Sequence, residues 1–168
     1  GAHFIDLTNP ALPVSDGGYS ADGYTHDAQI ITYNGPDTDH QGKEIYLGCN
    51  GNEIVIVDVT NKAAPVRLSN ITYSQFGYVH QGWFTEDQRY FILGDETDEQ
   101  NYGFNTRTIM FDFSDLDNPQ FINDFEGPTP AIDHNGYIVN NTYFLANYRR
   151  GVTMLDVSDV ANGNLTEV

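Results

Sequence analysis

Short apolar runs of about four to seven residues alternate along the chain with polar turns rich in Gly, Asn, Asp and Pro, and the alternation reads as strands. In the middle of the chain the pattern predicts strands over Gln81–Thr85, Tyr90–Leu93, Thr108–Phe113 and Gln120–Phe125. Before them it predicts Ala28–Tyr33, Glu44–Leu47, Glu53–Val59 and Val66–Thr72, and after them Tyr137–Val139, Tyr143–Ala146 and Val152–Val157. Four short strands per period is the size and rhythm of a propeller blade.

The period is carried by two markers. One is an apolar strand followed by Asp, an apolar residue and Thr or Ser; its aspartates are Asp6, Asp58, Asp112 and Asp156, at intervals of 52, 54 and 44. The other is a histidine element, Tyr24-Thr-His26, Tyr78-Val-His80 and Ile132-Asp-His134, whose histidines lie 54 and 54 residues apart. Two markers keeping one phase indicate duplication. The Asp and hydroxyl of the first marker can accept backbone N–H bonds where a third strand turns, with Pro65 or Pro119 setting the return.

The repeats divide the chain into residues 1–23, the end of a preceding blade (its strands three and four), then blades at 24–77, 78–130 and 131–168, the last incomplete. A closed propeller needs about 4–8 blades. The reading is therefore an all-β propeller segment of about three four-stranded blades, part of a longer propeller or completed by other copies. An open stack of sheets in a filament is the alternative.

Composition narrows the partners. Twenty-four Asp and Glu against 7 Lys and Arg give a net charge of −17, which repels nucleic acid and anionic lipid. No apolar run is long enough for a membrane span, and no basic stretch precedes an apolar one at the start, so neither a span nor a retained signal peptide is expected. The single Cys49 excludes an internal disulfide and a Cys-rich zinc site.

The stretch Tyr78-Val-His-Gln-Gly-Trp-Phe-Thr-Glu-Asp-Gln-Arg-Tyr-Phe-Ile-Leu-Gly-Asp-Glu-Thr-Asp-Glu99, with Asn34-Gly-Pro-Asp37, Ile54-Val-Ile-Val-Asp-Val59 and Ala131-Ile-Asp-His-Asn135, resembles the LVIVD-repeat propellers, in particular the choice-of-anchor B proteins of bacteria. The resemblance spans almost the whole chain. It implies a propeller exported to the extracellular space or cell surface and tethered by a sorting signal, and it carries no established chemistry. The acidic balance fits salty surroundings, where screening reduces self-repulsion.

Two constellations carry candidate chemistry. His26, His80 and His134 stand at the start of each first strand; if that strand is innermost they converge near the axis, where imidazoles can hold copper, zinc or iron. The competing role is to fix the turn between blades, together with Asp27, Gln81 or Asn135. The second constellation is acidic: Asp37, Asp39 and Glu44 in one loop and Asp95, Glu96, Asp98 and Glu99 in what reads as the matching loop, hard ligands suited to calcium. Its alternative is a hydrated surface loop.

Other readings are weaker. Glu86 with Asp87, or Asp95 with Glu96, has no fixed separation for acid and base work. Ser74 and Ser158 lie in no nucleophile elbow, and no phosphate-binding glycine loop precedes a helix. Tyr24, Tyr78 and Trp83 could stack on a sugar or fill a core, and Asn70, Asn140 and Asn164 match the short glycosylation pattern. The leading function is a surface binding or assembly module, stabilised by calcium, for a protein or glycan partner or for further copies. The second is a metalloenzyme with a histidine-held redox metal.

Overall fold

The computed structural model describes residues 1–168. It contains one two-stranded sheet, β1 (Ala2–Asp6) and β2 (Val14–Tyr19), and three four-stranded antiparallel meanders. The first meander comprises β3 (Asp27–Thr32), β4 (Glu44–Cys49), β5 (Ile54–Asp58) and β6 (Val66–Ile71). The second comprises β7 (Val79–Phe84), β8 (Tyr90–Asp95), β9 (Arg107–Asp112) and β10 (Gln120–Glu126). The third comprises β11 (Gly136–Val139), β12 (Thr142–Asn147), β13 (Gly151–Asp156) and the short β14 (Thr166–Glu167). These are propeller blades, and the expected all-β fold class is the one observed.

The blades stack face to face, because alternate residues of each strand point to opposite faces. Ile45, Leu47, Ile54 and Ile56 of the first blade pack against Phe84, Phe91, Leu93 and Phe111 of the second. On the opposite face of the first blade, Tyr46, Val55 and Val57 meet Phe4 and Tyr19 of the two-stranded sheet. Ile92 and Met110 meet Ile138, Tyr143, Leu145 and Leu155 of the third blade. A central strand covered on both faces has no polar alternation to show, and β8 is buried along its whole length. Two apolar faces stay uncovered: Tyr137, Val139, Phe144, Val152 and Met154 on the third blade, and Ile5, Leu7 and Val14 at the other end.

The Asp-apolar-Thr/Ser marker is a turn device. In each copy Asp Oδ1 accepts the backbone N–H two residues on: Thr8 at 2.7 Å, Thr60 at 3.0 Å, Ser114 at 2.8 Å and Ser158 at 2.8 Å. In the first blade the Thr60 hydroxyl also accepts the Glu44 N–H at 3.0 Å, tying the turn to β4. Replacing Asp58 with Ala is expected to cost about 1 kcal/mol, the net worth of such bonds, read as a shift in urea midpoint with unchanged slope; no shift would make the turn independent of it.

Strand β7 begins two residues before its predicted start. Val79 exchanges backbone hydrogen bonds with Gly51 of the preceding blade, and the register shifts between Val79 and Gln81. That irregularity places His80 at the head of the strand. The strands β3, β7 and β11 lie side by side. A short helix, α1 (Asp98–Tyr102), interrupts the β8–β9 connection, which the alternation did not predict.

Candidate metal centre

The head of each first strand is pinned to the second strand of its own blade. His26 N–H donates to the Cys49 carbonyl at 2.8 Å and His134 N–H to the Ala146 carbonyl at 2.9 Å. With the first strands adjacent, the three imidazoles form a row. Ring centroids are 4.4 Å apart for His26 and His80 and 4.3 Å for His80 and His134, with tilts of 49° and 42°. His26 is exposed, His80 buried and His134 half-buried.

Glu96 closes the row. Its Oε2 lies 3.4 Å from His80 Nε2 and its Oε1 3.8 Å from His134 Nε2. One ligand atom each from His26, His80 and Glu96 falls within 4.8 Å of the others. The carboxylate is aimed by Tyr148, whose hydroxyl donates to Glu96 Oε1 at 2.6 Å, and Tyr24 reaches His26 Nδ1 at 3.1 Å. Burial and the two flanking imidazoles hold His80 neutral, lowering its pKa to about 4 against the opposing pull of Glu96. His80 Nδ1 is buried with no hydrogen-bond partner. A neutral imidazole is the form that binds metal.

The competing role, tying blades together, is performed by neighbouring amides. Gln29 Oε1 accepts Phe84 N–H of the next blade at 3.0 Å, and Gln81 Oε1 accepts Gly136 N–H of the blade after at 2.8 Å. Asn135 donates to Asp27 at 3.2 Å. The histidine rings make none of these bridges.

The acidic residues do not assemble into one site. Asp37 and Asp39 lie in the β3–β4 hairpin and Glu44 begins β4, whereas Asp95 ends β8 and Glu96, Asp98 and Glu99 follow it in the β8–β9 connection, at the other end of a blade. The two loops therefore do not match, because β3–β4 joins the first two strands and β8–β9 the second and third. Asp37 accepts backbone N–H groups of Asp39 at 3.1 Å and Leu116 at 2.9 Å, Asp39 is exposed, and Glu44 pairs with Lys62.

Asp95 is fully buried and accepts from the Tyr73 hydroxyl at 2.7 Å and the backbone N–H of Gly77 at 2.7 Å, Tyr78 at 2.6 Å and Thr97 at 3.3 Å. Asp98 pairs with Arg107 at 2.7 Å, and burial and Asp95 still raise its pKa to about 6. Glu99 is buried without a well-formed hydrogen bond to its carboxyl and is raised to about 8, mainly by burial. Asp133, also enclosed and without such a bond, is pushed well up by burial and by Glu99.

Sequence reasoning missed Tyr148 and Asp133, and, although it named Asp37 as a calcium ligand, missed His40 and Asp117, which group with it so that their ligand atoms also lie within 4.8 Å. There His40 Nε2 is 2.8 Å from Asp117 and its Nδ1 is 3.1 Å from Lys43 Nζ, so the imidazole is already bonded at both nitrogens.

Blade topology, face-to-face packing and the row of adjacent first strands define a segment of a β-propeller. The solved structures include a similar one: a crystal structure of a protein from Lactobacillus plantarum superposes with a TM-score of 0.66 at 14% identity. The alignment covers 99% of this chain and 49% of that one, so the chain spans about half its length. The sequence matches no protein-family model, and no curated protein is similar to it. No helix is long and apolar enough to cross a membrane.

Proposed function

We propose that this chain is a propeller binding module whose ligand is a transition metal, held by His26, His80 and Glu96, with His134 as the flanking donor. The observation that carries the reading is the approach of two imidazoles and one carboxylate to within 4.8 Å of one another. Two imidazoles and a carboxylate on one side of an ion leave positions open, a donor set suited to iron(II) and usable by zinc or copper. The buried, neutral His80 supports it, as does the reassignment of blade bridging to Gln29 and Gln81. Open positions are what an oxidoreductase would use, so the metalloenzyme reading is kept within this one.

Titration of the chelator-treated chain with cobalt(II), followed by visible absorption and elemental analysis, is expected to give about one metal per chain. His80→Ala and Glu96→Gln should each abolish it, and His40→Ala should leave it. Binding that survives His80→Ala, or that follows His40, would overturn the assignment.

The module's setting follows from the resemblance to LVIVD-repeat, choice-of-anchor B proteins: a propeller exported to the bacterial surface, engaging a protein or glycan partner. The uncovered apolar faces on the third blade and on β1–β2 support completion of the ring by further propeller segments. Calcium, in this reading, would attach to the free oxygens of Asp98 and Glu99. A fall in melting temperature on chelation, reversed by calcium alone, is the expected sign of it.

A further inference from the structure

Of the 7 Lys and Arg side chains, six pair with a carboxylate. Arg149 alone does not, in a chain with 24 acids to choose from. Its neighbour Arg150 has its guanidinium committed to Glu167 and Thr153. Arg149 stands where two cavities of about 370 and 300 Å³ adjoin, and it lines both.

The larger cavity lies between the second and third blades. Pro130, Ala131 and Ile132 give it an apolar side; Glu99, Gln100, Tyr148 and Arg149 give it a polar one. Tyr148 holds a backbone φ of +35°, a conformation that a non-glycine residue adopts only at a cost. Its hydroxyl bond to Glu96 anchors that turn and sets the ring as the wall between the cavity and His134, 5.4 Å away.

We propose that this cavity binds a small organic monocarboxylate, its anionic head on the Arg149 guanidinium and its carbon body against Pro130, Ala131 and Ile132. A guanidinium fork matches a carboxylate in plane and charge. The single free cation selects a monoanion: a second negative charge on the ligand would find no other unpaired cation in the lining. Cavities near this size enclose small ligands, and an apolar lining with a few placed polar groups is the usual arrangement. The assignment rests on the cavity and needs no metal.

The test uses benzoate and its uncharged isostere benzamide, titrated into the full chain by NMR with chelator present. Benzoate is expected to shift resonances around Ala131 and Tyr148 saturably and to bind at least about tenfold tighter than benzamide. Arg149→Gln, at an exposed position, should erase that preference, and Arg150→Gln should keep it. Equal binding of the two probes, an undiminished preference in Arg149→Gln, or loss of benzoate binding on chelation would each overturn the proposal. The cobalt titration reports on the histidines separately, so failure of the metal reading and failure of this one are distinguishable.

Discussion

Replacing Arg107 with alanine is expected to destabilise the chain by about 3–5 kcal/mol, the range for removing one partner of a buried ion pair. Arg107 is 5% exposed. Its Nε donates to Asp98 Oδ2 at 2.7 Å, Nη2 to the Gln75 carbonyl at 2.9 Å and Nη1 to Asp124 at 3.4 Å. The guanidinium also lies 4.5 Å over Phe104 and 5.5 Å over Tyr73. Truncation would orphan a carbonyl and leave Asp98 with no counter-charge beside Asp95. Because Asp98 already has its pKa raised to about 6, it would take up a proton in the variant, and the loss should shrink below that pH. Adding Asp98→Asn to Arg107→Ala should recover part of it. The measurement is urea denaturation at neutral and mildly acidic pH, and a loss under about 1 kcal/mol at neutral pH would show that the pair is not a keystone. Given a typical total of about 5–15 kcal/mol, the expected loss would leave the propeller marginal.

The blades were legible because a strand leaves its period in the sequence, and a duplicated strand leaves it several times. The histidines inherit that register: a 54-residue step from His26 to His80 and again to His134 becomes a row of rings once first strands are adjacent. Glu96 was legible only as one acid among several. Asp95 beside it ends β8 with four donors on its carboxylate, while Glu96, one residue on, turns to the histidines. Which acid does which is decided by the strand end and by Tyr148, some 50 residues later, whose backbone strain no composition reveals. The tie between blades was assigned to the histidines together with Asp27, Gln81 or Asn135; Gln81 and the Asn135–Asp27 pair do make it, joined by Gln29, which was not foreseen, and the imidazoles do not. An amide can donate and accept at once, and hydrophobic periodicity is blind to that. Burial of Asp98, Glu99 and Asp133 was hidden for a further reason: four carboxylates in five residues read as a solvated loop until a helix folds them under a neighbouring blade.

Glu99→Gln is the second large effect, and its sign depends on pH. Burial, with Asp98 alongside, raises the Glu99 carboxyl from an ordinary value of 4.5 to about 8 in the folded chain; Arg107 is engaged with Asp98. The unfolded chain loses this proton near pH 4.5 and the folded one near pH 8. The group's penalty is therefore absent below the lower value, grows through the window, and is complete above the upper one. Glutamine cannot ionise, so the variant should match the native chain at pH 4.5 and exceed its stability at pH 8 by on the order of 2–4 kcal/mol. His80 runs the other way, its pKa depressed to about 4, so its contribution is present above its ordinary value of 6.5 and lost as pH falls toward 4. The two slopes oppose each other in the native chain. The difference between variant and native stability cancels His80 and isolates Glu99. A difference that stays flat from pH 4.5 to 8 would mean that solvent or a bound cation reaches the Glu99 carboxylate, and a calcium-dependent difference would identify the cation.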